Sequence, residues 1–458
     1  MMRMCKCSTY LFLFINILVQ FSEAQNNDTI EISGKVQWMS KAITGYPPEL
    51  KITSANKQEY FCLVDSTGHY TCRLPPGSYT LTPKLHYCWS GDDFIRICEK
   101  RSLISIHVSP GRGYIAPDLI LDTIVSPAQL PASGIARNFT RANARLLNEY
   151  VIKQMAYFEI PGASLAIIKN GKLLYHKVYG VTTINTGLPV TSKTLFEAGS
   201  VTKPVFAFVV MRLVEKKIID LDQPLYQLLS FDEVLHDKRY KLITARLVLS
   251  HQSGLPNWGR RDSTGHFNML FSPGTKFGYS GEGYEYLKRV IEHITHKNIS
   301  QILKEELVVP LQLQGLHFKC SAYIKRNATH GHNDLKPMPI RYFEQPMMAF
   351  SMFTEAKAFS RFILALSNKK GLKKETYEQM LHIESAREDG AHWSLGFEID
   401  EAPGGISYGH SGSTSSGFIC NFRYFPNLDI GYAFFTNSDM GAELSIPLLT
   451  QFIVTGKK

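Results

Sequence analysis

From residue 29 to about residue 124 the chain alternates apolar and polar positions in short runs, "TIEISGKVQW", "ELKIT" and "SYTLTP" among them, broken by Gly, Pro and Asp. A period of two punctuated by turn residues predicts short strands and a small β-sandwich. In "EYFCLVD" and "HYTCRL", Tyr60, Cys62 and Val64 share one face, and so do Tyr70, Cys72 and Leu74. A hairpin centred on Thr67, with "DSTG" as its turn, sets Cys62 opposite Cys72 at bridging distance. "VSPAQLPASGIARN" (Val125 to Asn138) has the texture of a linker. Beyond it the pattern changes. "GASLAIIKNGKLLYHKVYG" (Gly162 to Gly180) predicts two strands joined at Asn170–Gly171. Val205, Phe206, Phe208, Val209, Val210, Leu213 and Val214 place apolar groups on nearly every face of a helix, which marks it as buried. Strands return in "GFICNFRYFP" and "DIGYAFFTN". Strands at both ends with helices between predict an α+β domain whose sheet is assembled from distant segments.

The N-terminus reads differently. Arg3 and Lys6 precede an apolar run, Tyr10 to Val19, and "SEA" ends just before Gln25. That is the layout of a secretory signal peptide, and the run is about half the ~20 residues of a membrane span. The expected organisation is a signal peptide (1–24), a β-sandwich (25–124), a linker (125–140) and an α+β domain (141–458), exported to the periplasm or medium without stable membrane insertion. Export favours disulfides. With Cys62–Cys72 paired, Cys88–Cys98 follows by default and Cys320–Cys420 is what remains. Asn27, Asn138, Asn298 and Asn327 begin N-x-Ser/Thr sequons. The formal net charge is +10. Its Lys and Arg are scattered without interleaved aromatics, so no nucleic-acid partner is expected.

Candidate chemistry centres on "AGSVTKPVFAF". Ser-x-x-Lys occurs at Ser54–Lys57, Ser200–Lys203 and Ser367–Lys370, so the spacing alone is weak. Only Ser200 follows a small-residue turn and opens the buried helix. At i and i+3, Ser200 and Lys203 share a face. The helix N-terminus offers unpaired N–H groups to a developing oxyanion. Desolvation there would lower the lysine pKa and make it a base for the serine proton. The competing reading is a helix-capping serine beside a solvated lysine. Pro204 falls in the first helical turn, where no hydrogen bond is lost.

Further motifs follow in order: "LVLSHQSGLPNW" (Leu247 to Trp258), "FSPGTKFGYSGEGYEYL" (Phe271 to Leu287) and "YGHSGSTSSGF" (Tyr408 to Phe418). With "SVTK" they resemble the serine β-lactamase and penicillin-binding-protein superfamily, in its class C β-lactamase, DD-carboxypeptidase and esterase branch, over residues 145 to 458. The resemblance implies a β-lactamase/transpeptidase-like fold, in which an antiparallel sheet is flanked by helices and a helical subdomain is added. It implies Ser200 as nucleophile, Lys203 as its base partner, and Tyr279 as proton relay to the leaving group. It implies His410 as support for the tyrosine and for a substrate carboxylate or carbonyl. It also implies the N–H groups of Ser200 and Ser413 as oxyanion hole, and Gly281, Ser411 and Gly412 at the substrate. No cofactor or metal is implied. In the N-terminal region, "SGKVQ" and "DSTGHYTCRLPPGSYTLTP" resemble the carboxypeptidase regulatory-like (transthyretin-like) domain. That domain carries no catalytic group and implies a spacer or a carbohydrate- or protein-binding module.

Two departures from the family pattern matter. His410 replaces the usual lysine of the Lys-Thr-Gly motif, and histidine titrates near neutrality, so pH-dependent activity is expected there. Gly281 stands where asparagine is usual, which argues against efficient β-lactam hydrolysis. Glu282 is the neighbour that could compensate in part. "HGHND" (His330 to Asp334) resembles a metallo-β-lactamase motif but is followed by Leu335 rather than a further His, and no metal is expected. The absence of Gly-x-Ser-x-Gly argues against an α/β-hydrolase elbow. The expected function is an exported serine hydrolase that cleaves an amide or ester: a D-amino-acid peptide, a cell-wall fragment or a small ester. The rivals are a true β-lactamase and an inactive homologue that binds peptides or peptidoglycan.

Overall fold

The computed structural model describes residues 29–37, 49–65, 69–88, 95–99, 104–108, 114–115, 119–120, 139–387, 390–402 and 405–442. The expected leader, residues 125–138 of the linker, most of the turn after Asp65, and the sequons at Asn27 and Asn138 lie outside these residues. Contacts divide the chain into two compact units, with the break between Thr123 and Ile124.

The first unit holds β1 (Ile30–Gln37), β2 (Glu49–Ser54), β3 (Glu59–Leu63), β4 (His69–Leu74), β5 (Gly77–Cys88), β6 (Ile95–Glu99), β7 (Ile104–Val108), β8 (Tyr114–Ile115) and β9 (Leu119–Ile120). β4-β1-β8 form one sheet, with β9 also on β1. β3-β2-β5-β6 form the other, with β7 on β5. The inward-facing alternate residues of both sheets, Ile32, Leu50, Ile52, Val64, Tyr70, Leu74 and Leu81, meet in one buried cluster. That shared core makes the unit a sandwich. Val64 bridges Tyr70, and Cys62 lies against Cys72. Both are free thiols, in mutual hydrogen-bonding contact, which with burial raises the Cys62 thiol pKa. The β5–β6 register sets Cys98 across from Leu85 and Cys88 across from Ile95. The expected Cys320–Cys420 pairing also changes: both cysteines are free.

In the second unit the Asn170–Gly171 signal acts as expected. Lys169 pairs with Lys172, and both turn residues take positive φ. The resulting hairpin, β10 (Gly162–Lys169) and β11 (Lys172–Gly180), is joined by β12 (Ser385–Ala386), β13 (His392–Trp393), β14 (Glu398–Ala402), β15 (Gly405–Thr414), β16 (Phe418–Phe425) and β17 (Ile430–Thr436). They form one sheet ordered β11-β10-β17-β16-β15-β14-β13-β12. β10 lies between C-terminal β17 and its own hairpin partner, and both of its faces are buried. Leu165 and Ile167 pack with Leu147, Val151 and Met155 of α1 (Arg141–Tyr157) on one side. Ala166 and Ile168 join the large core on the other.

That core is built around α2 (Thr202–Glu215), buried from Thr202 through Met211. α3 (Gly281–Thr295) and α4 (Ala356–Ser367) pack around it. A helix buried on every side cannot shift without disturbing its whole surround. Its N-terminus is therefore a rigid mounting point. Among the described residues no helix is long and apolar enough to cross a membrane.

Candidate active site

Ser200 lies in a single 3-10 turn (Gly199–Val201) that feeds directly into α2. Gly199 has φ +52, and a Cβ there would meet the Ser413 backbone at 3.2–3.3 Å. The turn is thus pressed against the end of β15. Pro204 is the third residue of α2, inside the first turn. Neither helical turn has a side-chain cap, so Ser200 is not held as a capping residue. Instead its Oγ accepts from Lys203 Nζ at 3.1 Å. Lys203 is 1% exposed. Its Nζ also donates to the Ala349 carbonyl at 2.9 Å and lies 4.6 Å from the Tyr279 ring centroid and 5.5 Å from that of Tyr284.

The remaining expected residues converge on this pair. The Tyr279 ring is 6.1 Å from the His410 ring. A Cβ on Gly412 would fall 2.2 Å from Ala198 O and 3.3 Å from Ser200 N. Only glycine lets β15 approach the nucleophile turn this closely, which brings the Ser413 and Ser200 backbones side by side. Ser411 faces the other way in the ladder, with its Oγ accepting from Asn421 Nδ2 at 2.9 Å. Ser200, Lys203, Tyr279, His410, Gly412 and Ser413 thus gather at one place. A serine hydroxyl, a buried amine and adjacent backbone N–H groups are the parts from which acyl transfer is assembled.

Residues 147–447, well over half of the chain, match the Beta-lactamase family model. The chain belongs to the Beta-lactamase family. Within that family it is similar to esterase EstB of Burkholderia gladioli, at 28% identity over 207 residues, 39% of this chain and 52% of that protein. It is also similar to penicillin-binding protein 4 of Amycolatopsis lactamdurans, at 30% over 171 residues, 34% and 44% of the two chains. The match to protein flp of Staphylococcus aureus (strain MW2) spans 38% of that protein, at 24% identity. The chain therefore aligns with about two-fifths to half of these relatives' lengths. The D-alanine carboxypeptidase AmpC from Burkholderia cenocepacia superposes with a TM-score of 0.59 at 21% identity, over 68% of this chain and 99% of that one. A class C β-lactamase gives the same TM-score at 19% identity. The fold is the α+β, β-lactamase/transpeptidase-like one expected.

Against that family pattern, three expectations change. First, His410 does not titrate near neutrality. Burial, with the nearby Lys203 charge as second cause, pushes its pKa down to about 3. Its Nδ1 donates to the Ser411 carbonyl at 2.6 Å, which leaves Nε2 as a bare acceptor. Second, Glu282 does not stand in for the missing asparagine. Its carboxylate accepts from Gly259 N–H at 3.1 Å and from both Arg261 NH groups at 3.1 and 3.2 Å. Third, the place beside Gly281 is filled. A Cβ on Gly281 would sit 2.8 Å from two ring carbons of Trp258 and 2.8 Å from Asn257 O.

Several contributors carried no assigned role in the sequence. His251, inside "LVLSHQSGL", is fully buried and stacks 4.1 Å from the Tyr279 ring. Its Nδ1 accepts from Ser280 N–H at 3.1 Å, so the neutral ring carries its proton on Nε2. Burial and the Lys203 charge hold its pKa well below the ordinary value. Trp393 touches His251, Tyr279 and His410 at once. Among the described residues, His251 Nε2, Trp393 Nε1 and His410 Nε2 have no hydrogen-bond partner. Tyr279 is therefore held in an aromatic box with two donors and one acceptor in its walls. Glu197, 1% exposed, precedes the nucleophile turn and binds Ser416 Oγ at 2.7 Å and the Arg341 guanidinium. That pairing ties the nucleophile turn to the connection between β15 and β16. "HGHND" is structural: His332 Nδ1 faces the Asn437 carbonyl at 2.8 Å and its Nε2 accepts from Ile184 N–H.

Proposed function

We propose that this chain is a serine hydrolase that forms an acyl-enzyme on Ser200 and cleaves a carboxylic ester or amide. Lys203, when neutral, takes the Oγ proton as Oγ attacks the substrate carbonyl carbon. The tetrahedral oxyanion sits between the N–H groups of Ser200 and Ser413. The carbonyl re-forms as the bond to the leaving alcohol or amine breaks, and the proton reaches that leaving group through Lys203 and Tyr279. Water then hydrolyses the Ser200 ester by the reverse sequence, returning the acid and the free serine. His410, neutral, supports this as a hydrogen-bond acceptor rather than as a charge, so it offers no ion pair to a substrate carboxylate.

The observation that carries this reading is the 3.1 Å contact between Ser200 Oγ and a lysine that is 1% exposed. A solvated lysine would have no reason to be there, since burying an amine costs several kcal/mol unless its contacts are used. The family's esterase and carboxypeptidase members favour an ester or a short D-amino-acid peptide as substrate, with cell-wall fragments as the larger form. Export of the mature chain rests on the composition of residues 1–24. The test is labelling with a fluorophosphonate serine probe. Wild type should be labelled once per chain and Ser200→Ala not at all; equal labelling of the mutant would overturn the assignment.

A further inference from the structure

Trp258 is half exposed (50%), an unusual state for the largest apolar side chain when it adjoins a catalytic pair. Two independent segments bring it there. Gly281, against which its indole lies at 2.8 Å from the Cβ position, is two residues beyond Tyr279. Phe350, which the indole meets edge-on at 5.3 Å between ring centres, directly follows Ala349, the carbonyl acceptor of Lys203. The indole and phenyl rings thus form one apolar wall that runs from Gly281 to the segment whose carbonyl holds Lys203.

The wall is anchored on both flanks. Asn257 O accepts from the N–H groups of Gly281 and Glu282 at 3.0 and 3.1 Å. On the far side, Glu282 holds Gly259 N–H and Arg261. The loop carrying Trp258 is therefore clamped onto the first turn of α3, and the indole is preorganised rather than draped.

We propose that Trp258, backed by Phe350, is the acyl-side specificity wall of the site and selects esters with aryl or bulky apolar acyl groups. This rests on the serine-hydrolase reading above. An amide carried within the acyl group would face ring carbons here and leave its N–H and C=O unmatched, which is costly when buried. An aromatic acyl group has no such polar groups to satisfy and gains both area and ring contact.

The experiment compares kcat/KM for 4-nitrophenyl phenylacetate and 4-nitrophenyl acetate in the full chain. Wild type should prefer the phenylacetate. Trp258→Ala should lower the phenylacetate-to-acetate ratio about tenfold, Trp258→Phe should keep most of it, and Trp258→Leu, which preserves apolar bulk, should fall between. Because the readout is a ratio, loss of folded protein does not move it. Inhibition by benzeneboronic against methylboronic acid should shift in parallel. A ratio unchanged in both the Ala and Leu variants overturns the proposal while leaving the hydrolase reading intact. A wild type that hydrolyses neither ester, or a Ser200→Ala variant that hydrolyses both, overturns the hydrolase reading and the proposal with it.

Discussion

His410 should be pH-silent between pH 5 and 8.5, and the reason can be worked from its surroundings. It is 2% exposed, and burial and Lys203 push its pKa from 6.5 down to about 3. At pH 5 roughly 1% of the folded protein would then carry the imidazolium, and at pH 7 about a hundredfold less. The charged groups that oppose protonation are Lys203 and Arg423. The same depression has a stability consequence. The unfolded chain binds this proton at the ordinary histidine value and the folded chain does not. The contribution is complete above about pH 6.5 and is lost as pH falls toward 3. At about 1.4 kcal/mol for each factor of ten, it amounts to roughly 5 kcal/mol. Two assays check this. In a kcat/KM profile of an activated ester, the acid limb should not contain a step near pH 6.5 that His410→Asn removes. In urea unfolding, the wild-type midpoint should fall between pH 6.5 and 4 more steeply than that of His410→Asn. A wild-type limb with apparent pKa 6–7 that vanishes in His410→Asn would refute the reasoning, because it would require a solvated, titrating imidazole.

Other substitutions test the neighbouring contacts. Gly412→Ala puts a methyl 2.2 Å from Ala198 O, so activity should fall at least a hundredfold and stability by about 1–3 kcal/mol, read by ester turnover and thermal melting. Glu282→Gln weakens the clamp on the Trp258 loop through the Arg261 pair; Arg261 is substantially exposed, so the stability cost should stay below about 1 kcal/mol, while KM for an aryl ester rises more than kcat falls. With Gly281 backed by the Trp258 ring, turnover of a chromogenic cephalosporin should be far slower than that of short acyl esters. Fast turnover would show that the missing asparagine is dispensable.

How much of this was readable from the chain follows from where each signal resides. The nucleophile pair was legible because it combines a small-residue turn, a helix start and an apolar run, all local in sequence. Pro204 marked the same start. The Asn170–Gly171 turn was legible because its backbone demands positive φ. The sandwich followed from strict alternation at positions such as Ile30, Ile32, Leu50 and Ile52. What was not legible depends on tertiary packing. The depressed pKa of His410 comes from its burial and from Lys203, 207 positions earlier in the chain. The Ala349 carbonyl acts through the backbone and leaves no residue-type signal. Glu282 looked available beside Gly281, but Arg261 had already claimed it from a separate loop. Trp258 was visible as an aromatic at the end of a motif, yet nothing in the sequence places its ring over Gly281. Cys88 and Cys98 were paired by elimination alone, a step that carries no geometric signal.

The central claim is that Ser200 carries the acyl group, and trapping that group tests it most directly. Wild-type protein should be mixed with a slowly deacylating activated ester, quenched in acid and measured by intact mass, followed by peptide mapping. The account predicts one added acyl mass per chain, mapped to Ser200, and absent in Ser200→Ala. It also predicts that Lys203→Ala reduces the adduct's rate of formation by at least a hundredfold. An adduct on another residue, or product release with no acyl mass at any time and no change in Ser200→Ala, would contradict it.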